Sequence, residues 1–258
     1  MRQKKVKKKY KFSDIAWRDL SLIAVVLVGL FLFSVAGMAL GALFLKHMSQ
    51  LQLAMISTLA QLMAYVVVIF VFYFLHIHTF GERFKKGLQY LKRRWFIIII
   101  AFLLAYGLSS LYEWLMQFLP KHLQYSDTQN EMALDQLFKL HAFIPFAFLL
   151  IVIVGPIVEE LVFRHILIGE LGKKFNFIVM GIISAVLFTY IHVTDAKSPF
   201  EFGAYFILAI ALVSVYLVSK RNLAASISLH MLNNLVSFIY TLWLSLIHIS
   251  EPTRPLYI

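Results

Sequence analysis

Apolar positions dominate long stretches of the chain, and polar clusters break them at intervals that suit membrane-spanning helices. Apolar runs occupy roughly 20–45, 51–75, 95–119, 141 to past 164, 175–192, 202–219 and 223 onward. A crossing needs about 20 such residues. The breaks alternate in character. Arg83, Lys85, Lys86, Lys92, Arg93 and Arg94 fill one, Lys173 and Lys174 another, and Lys220 with Arg221 a third. The stretch 121–140, with Asp127, Glu131 and Asp135, and the turn at Asp195, Lys197, Pro199 and Glu201 are poorer in basic residues. Basic loops mark the cytoplasmic side. The pattern predicts an all-α polytopic membrane helix bundle of about seven transmembrane helices. Phe80, Phe84, Leu88 and Leu91, interleaved with the basic residues before 95, predict one amphipathic interfacial helix.

Composition agrees. Of 258 residues, 61% are hydrophobic and 14% charged, and mean hydropathy is +0.80. A soluble domain runs about 45–50% apolar and about 25% charged, so an ordinary soluble enzyme and a disordered tail are excluded. The net charge of +11 reads first as topology, and no nucleic-acid partner is expected. Residues 1–18 form a basic cytoplasmic tail suited to anionic lipid, with Lys4, Lys5, Lys7, Lys8, Lys9 and Lys11 among its cations. The following apolar run is too long for a signal peptide. The expected location is the plasma membrane, multi-pass, with the N-terminus cytoplasmic. The absence of cysteine excludes disulfides, thiolate metal sites and cysteine nucleophiles.

The bundle is expected over 19–243. The end of the chain reads differently. Leu244 to Arg254 spells LSLIHISEPTR, which resembles an in-frame translation of the transposase adapter used in sequencing libraries. Residues 244–258 are therefore expected to be adapter-derived, and His248, Glu251 and Arg254 are given no role.

Ionisable groups within apolar spans are costly, at least about 2.5–3.5 kcal/mol each at the bilayer centre, and so mark function or a specific pair. The segment PIVEELVFR carries Glu159, Glu160 and Arg164; LFTYIH carries Phe188 and His192; SLHMLNN carries His230 and Asn234. Glu160 and Arg164 are four apart and can pair on one helical face. Glu159 lies about 100° around from Glu160 and points elsewhere. His230 and Asn234 are also four apart, as are Phe188 and His192. A carboxylate with a histidine can hold and deprotonate water. A second histidine and an amide can donate to an oxyanion. The same residues leave other readings open: interhelical hydrogen bonding, a structural ion pair, or a transporter's proton site.

Three motifs in order, EExxxR at Glu159, Glu160 and Arg164, FxxxH at Phe188 and His192, and HxxxN at His230 and Asn234, resemble those of the CPBP family. This family comprises type II CAAX prenyl endopeptidases and bacteriocin-processing, Abi-like enzymes. The resemblance covers about 143–243; His165 departs from it, standing where the family often has a small residue. It implies an intramembrane endopeptidase acting on a hydrophobic or membrane-tethered peptide, such as a bacteriocin-type precursor or the tail of a lipidated protein. It further implies that Glu159 activates water with His192, that Glu160 and Arg164 support the site, and that His230 and Asn234 form the oxyanion hole. The favoured mechanism requires no cofactor. Zinc on Glu159, His192 and His230 is the metal alternative. A non-enzymatic immunity or peptide-sequestering protein and a proton-coupled transporter remain as alternative functions. Straight, upright helices would set His192 roughly 25 Å from Lys174 but His230 only about 10 Å from Leu223. Tilts, kinks or shifted ends are needed to bring them together.

Overall fold

A computed structural model describes residues 10–125, 134, 137–138, 140–194, 196 and 198–250. Most of the basic tail, the acidic loop residues Asp127, Glu131 and Asp135, the turn residues Asp195 and Lys197, and residues 251–258 lie outside these. The described residues contain helices and no strand. Seven helices form the bundle: α1 Ser21–Phe44, α2 Gln50–Leu75, α3 Phe80–Met116, α4 His141–Phe175, α5 Phe177–His192, α6 Glu201–Val218 and α7 Leu223–Ser250. All except α5 are long and apolar enough to cross a membrane. At 16 residues, α5 spans about 24 Å.

The expected interfacial helix and third crossing are one continuous element, α3, bent where Arg94 leaves helical geometry (φ −133°, ψ 19°). Lys92, Arg93 and Arg94 are good helix formers, so the ladder bends at the interface instead of stopping. Helix α7 likewise runs past 243 to Ser250.

Helices α1 and α2 form a hairpin in which Gly29 packs against Ala64; a Cβ at Gly29 would lie 3.3 Å from that of Ala64. Small residues permit such close helix contact inside lipid. The outer faces of α1 and α3 are apolar and open (Leu43 is 77% exposed, Leu104 62%), as a lipid-facing surface requires. Two apolar cores flank α4. Leu22, Val68, Val158 and Ile166 join α1, α2 and α4. Phe163, Phe188, Leu212 and Leu229 join α4 to α5, α6 and α7.

Helix α4 is the unusual element. Leu149–Val154 and Leu161–Leu171 wind as wide π-type turns around a short α-helical stretch, Gly155–Glu160. Such turns are rare and concentrate at functional sites. The sequence accounts for part of this. In a ladder bonded five residues ahead, the donor for the Ile151 carbonyl would be Pro156, which has no N–H. Asn234 Nδ2 of α7 donates to that carbonyl instead, at 2.9 Å. Ser184 Oγ of α5 similarly donates to the Phe163 carbonyl at 2.8 Å. The wide turns thus expose backbone acceptors that fasten α4 to its neighbours.

The basic turns gather at one end. Arg221, in the left-handed region at φ 65°, lays its guanidinium 4.0 Å over the Phe177 ring and donates to Tyr10 Oη at 3.2 Å. Lys173 Nζ donates to the Asp14 carbonyl at 2.8 Å and to Glu170 at 2.6 Å. Residues 10–20 are therefore docked against the end of α4. Residues 10–18 belong to the stretch expected as a basic cytoplasmic tail.

Candidate active site

Each of the three motifs lies on a different helix, and each contributes at least one side chain to the lining of one cavity. Glu160 and Arg164 of α4 are fully buried, and Arg164 Nη1 stands 3.2 Å from Glu160 Oε1. The Arg164 guanidinium lies 4.6 Å from the Phe188 ring centre. That ring covers a cation that has no hydrogen-bonded partner on its nitrogens among the described residues. His230 Nδ1 of α7 donates to the same Glu160 oxygen at 3.0 Å. One buried carboxylate oxygen therefore anchors both an arginine and an imidazole. The four-residue spacing predicted the first contact; no local pattern predicted the second, which spans 70 residues.

Glu159, the chain neighbour of Glu160, faces the cavity. Its side chain is 18% exposed and lines this space of about 640 Å³ with His192, His230 and Asn234. Glu159 Oε2 lies 3.8 Å from His192 Nε2 and 3.6 Å from His230 Nε2. The helix-length arithmetic had separated the two imidazoles in depth. His192 stands at the far end of α5 and His230 near the start of α7, and both nevertheless reach Glu159.

Hydrogen bonds fix which ring nitrogen carries a proton. His192 Nδ1 lies 2.7 Å from the Phe188 carbonyl and must donate there, which leaves Nε2 of the neutral ring as an acceptor facing the cavity. His230 Nδ1 is committed to Glu160, so its Nε2 donates only in the imidazolium form. Asn234 uses one amide N–H on Ile151 and keeps the other. The Phe188 ring stacks on His192 at 4.4 Å between centroids and meets His230 edge-on at 5.6 Å. It thus sets the orientation of both rings and covers Arg164.

Several lining residues were not singled out from sequence. Tyr205 of α6 lies 5.3 Å, ring to ring, from His192. Ser57, Gln61 and Tyr65 of α2 line the same cavity. Their spacing of four along an apolar helix was the available signal, since it places three polar groups on one face. Asn233 also lines the cavity.

Zinc ligands bonded at about 2.0–2.1 Å in a tetrahedron stand about 3.3 Å apart. Glu159, His192 and His230 are more widely spread. Among the described residues, the trio of histidine and carboxylate donors drawn within 4.8 Å of one another is a different one, Asp19, His76 and His165. The cavity residues as arranged do not fit a three-ligand zinc site.

Residues 141–236, the stretch holding all three motifs, match the family model for type II CAAX prenyl endopeptidase Rce1-like proteins. Over this stretch the chain is similar to the CAAX endopeptidase family. Over 49 residues the chain is 45% identical to the putative membrane peptidase YdiL of Bacillus subtilis (strain 168), covering 19% of the chain and 20% of that protein. Over 138 residues it is 29% identical to the membrane-embedded CAAX protease MroQ of Staphylococcus aureus (strain USA300), covering 51% of the chain and 53% of that protein. The chain thus spans about a fifth and about half the length of these two relatives. No solved structure matches it.

Proposed function

We propose that this chain is a CPBP-type intramembrane endopeptidase that hydrolyses a peptide bond of a hydrophobic or membrane-tethered peptide. The observation that carries this reading is the placement of Glu159: a cavity-facing carboxylate with two imidazole Nε2 atoms at 3.6 and 3.8 Å. A water molecule between Glu159 Oε2 and His192 Nε2 would donate a hydrogen bond to each. Its lone pair would then be free to attack a substrate carbonyl carbon. As the C–O bond forms, Glu159 takes the water proton and later delivers it to the leaving amide nitrogen as the C–N bond breaks. The free Asn234 N–H and imidazolium Nε2–H of His230 would receive the oxyanion. Glu160 and Arg164 hold His230 in place. These steps are derived without a metal ion.

The cavity is large enough for a stretch of extended peptide, and its polar α2 stripe could accept backbone hydrogen bonds from it. A CAAX-type tail or a bacteriocin-type precursor suits such a site. Membrane lipid is the expected surrounding partner. Docking of the basic turns and residues 10–20 at one end supports a cytoplasmic N-terminus in the plasma membrane.

The test is comparative mass spectrometry of membrane peptides from cells expressing the wild-type or the Glu159→Gln gene at matched levels. A set of cleaved peptides present only with the wild type is expected. Identical peptide sets would overturn the reading and favour sequestration or transport.

A further inference from the structure

A second constellation lies away from the cavity, on the other side of the EExxxR helix. Asp19, just before α1, His76, just after α2, and His165 of α4 converge from three separate chain segments. All three are buried, and Asp19 completely so. Asp19 Oδ2 lies 2.8 Å from His165 Nε2 and 3.3 Å from His76 Nε2. One separation equals and the other falls below the spacing of about 3.3 Å between donors around a four-coordinate zinc ion, and the three donor atoms all lie within 4.8 Å of one another. The Phe72 ring packs against both imidazoles, with centroids 4.5 Å and 5.5 Å away.

The proton positions call for positive charge at Asp19 Oδ2. His165 Nε2 lies within hydrogen-bond distance of it at 2.8 Å. His76 Nδ1 lies 3.2 Å from the Phe72 carbonyl, so Nδ1 is the donor, and the neutral ring turns its Nε2 lone pair toward the same carboxylate oxygen 3.3 Å away, a contact that is favourable only with a proton or a metal cation between them. An Nδ1–H bonded to a backbone carbonyl is also the usual outer support of a metal-bound histidine. Asp19 Oδ1 is buried without a hydrogen-bond partner, its nearest cation being Arg18 Nε at 3.8 Å. It is available as a further donor from the same carboxylate.

We propose that Asp19, His76 and His165 form a divalent transition-metal site of the zinc class. Two imidazoles and a carboxylate are the donor set such ions take. The ion would pin the N-terminal segment and the end of α2 to α4, one residue after Arg164. His165, the departure from the family pattern, thereby gains a role. The site is structural, and the argument for it is independent of the proposed peptidase chemistry.

The test uses the full chain purified in detergent through a tag without histidine, stripped with chelator and titrated with zinc. One zinc per chain is expected by elemental analysis. The melting temperature should rise by about 5–10 °C at a free zinc level about a hundred times Kd. His76→Phe and His165→Phe should each lose both effects, whereas His192→Ala and Glu159→Gln should keep them. X-ray absorption of the zinc-loaded wild type covers the case in which the phenylalanine variants do not fold. Its shell should contain two imidazoles with nitrogen and oxygen at about 2.0–2.1 Å. Substoichiometric zinc in the wild type, zinc retained by both phenylalanine variants, or zinc lost on changing His192 or Glu159 would each overturn the proposal.

Discussion

The buried pair of Glu160 and Arg164 makes a strong stability prediction. Removing one charge by Glu160→Gln or Arg164→Met leaves the other without its main partner in a fully dry site. At the observed 3.2 Å, an effective dielectric of about 20 gives an attraction of about 5 kcal/mol. Measured losses for breaking buried pairs are about 3–5 kcal/mol. The Phe188 face would offset at most about 2 kcal/mol for a stranded Arg164. Each single variant should therefore lose about 3–5 kcal/mol. The double variant strands neither charge, and the carboxamide introduced by Glu160→Gln still offers His230 Nδ1 an acceptor oxygen. It should lose less than the sum of the singles by at least about 2 kcal/mol, within the range seen for coupled neighbours. Reversible unfolding in mixed micelles, followed by tryptophan fluorescence, supplies the three values. Single losses under about 1 kcal/mol, or a double variant that is simply additive, would refute this view of the pair.

Gly155→Ala would put a Cβ 2.7 Å from the Leu150 carbonyl. It should cost about 1–3 kcal/mol by thermal unfolding and lower activity by shifting the turn that carries Glu159. Asn234→Leu removes the partner of the Ile151 carbonyl and should cost about 1–3 kcal/mol, because that acceptor is left unsatisfied. Ser184→Ala is the contrasting case. The Phe163 carbonyl it releases lies within a helical ladder, so a loss near the membrane average of about 0.6 kcal/mol is expected in the same unfolding assay.

Helix count, span positions and the motif residues were legible in the sequence because insertion in lipid forces long apolar runs and makes every internal charge conspicuous. Glu160 with Arg164 followed from helical spacing alone. The link from Glu160 to His230 did not, since it depends on how α4 and α7 pack. The wide turns of α4 were equally hidden: Gly155 and Pro156 marked an irregularity there but not its kind. Asp19 and His76 stand at the borders of apolar runs, and His165 lies within one. Their convergence is a tertiary fact. The continuity of α3 through Arg94 shows the limit of hydropathy, which registers a change of environment but not whether the helix stops there.

The most direct measurement concerns Glu159. The purified chain and its Glu159→Gln variant are placed in lipid vesicles with a membrane-tethered peptide that the wild type cleaves, and turnover is followed by mass spectrometry. The account predicts a fall in rate of about 10²–10⁴-fold, with a melting temperature close to that of the wild type. Cleavage by the variant at the wild-type rate would contradict it.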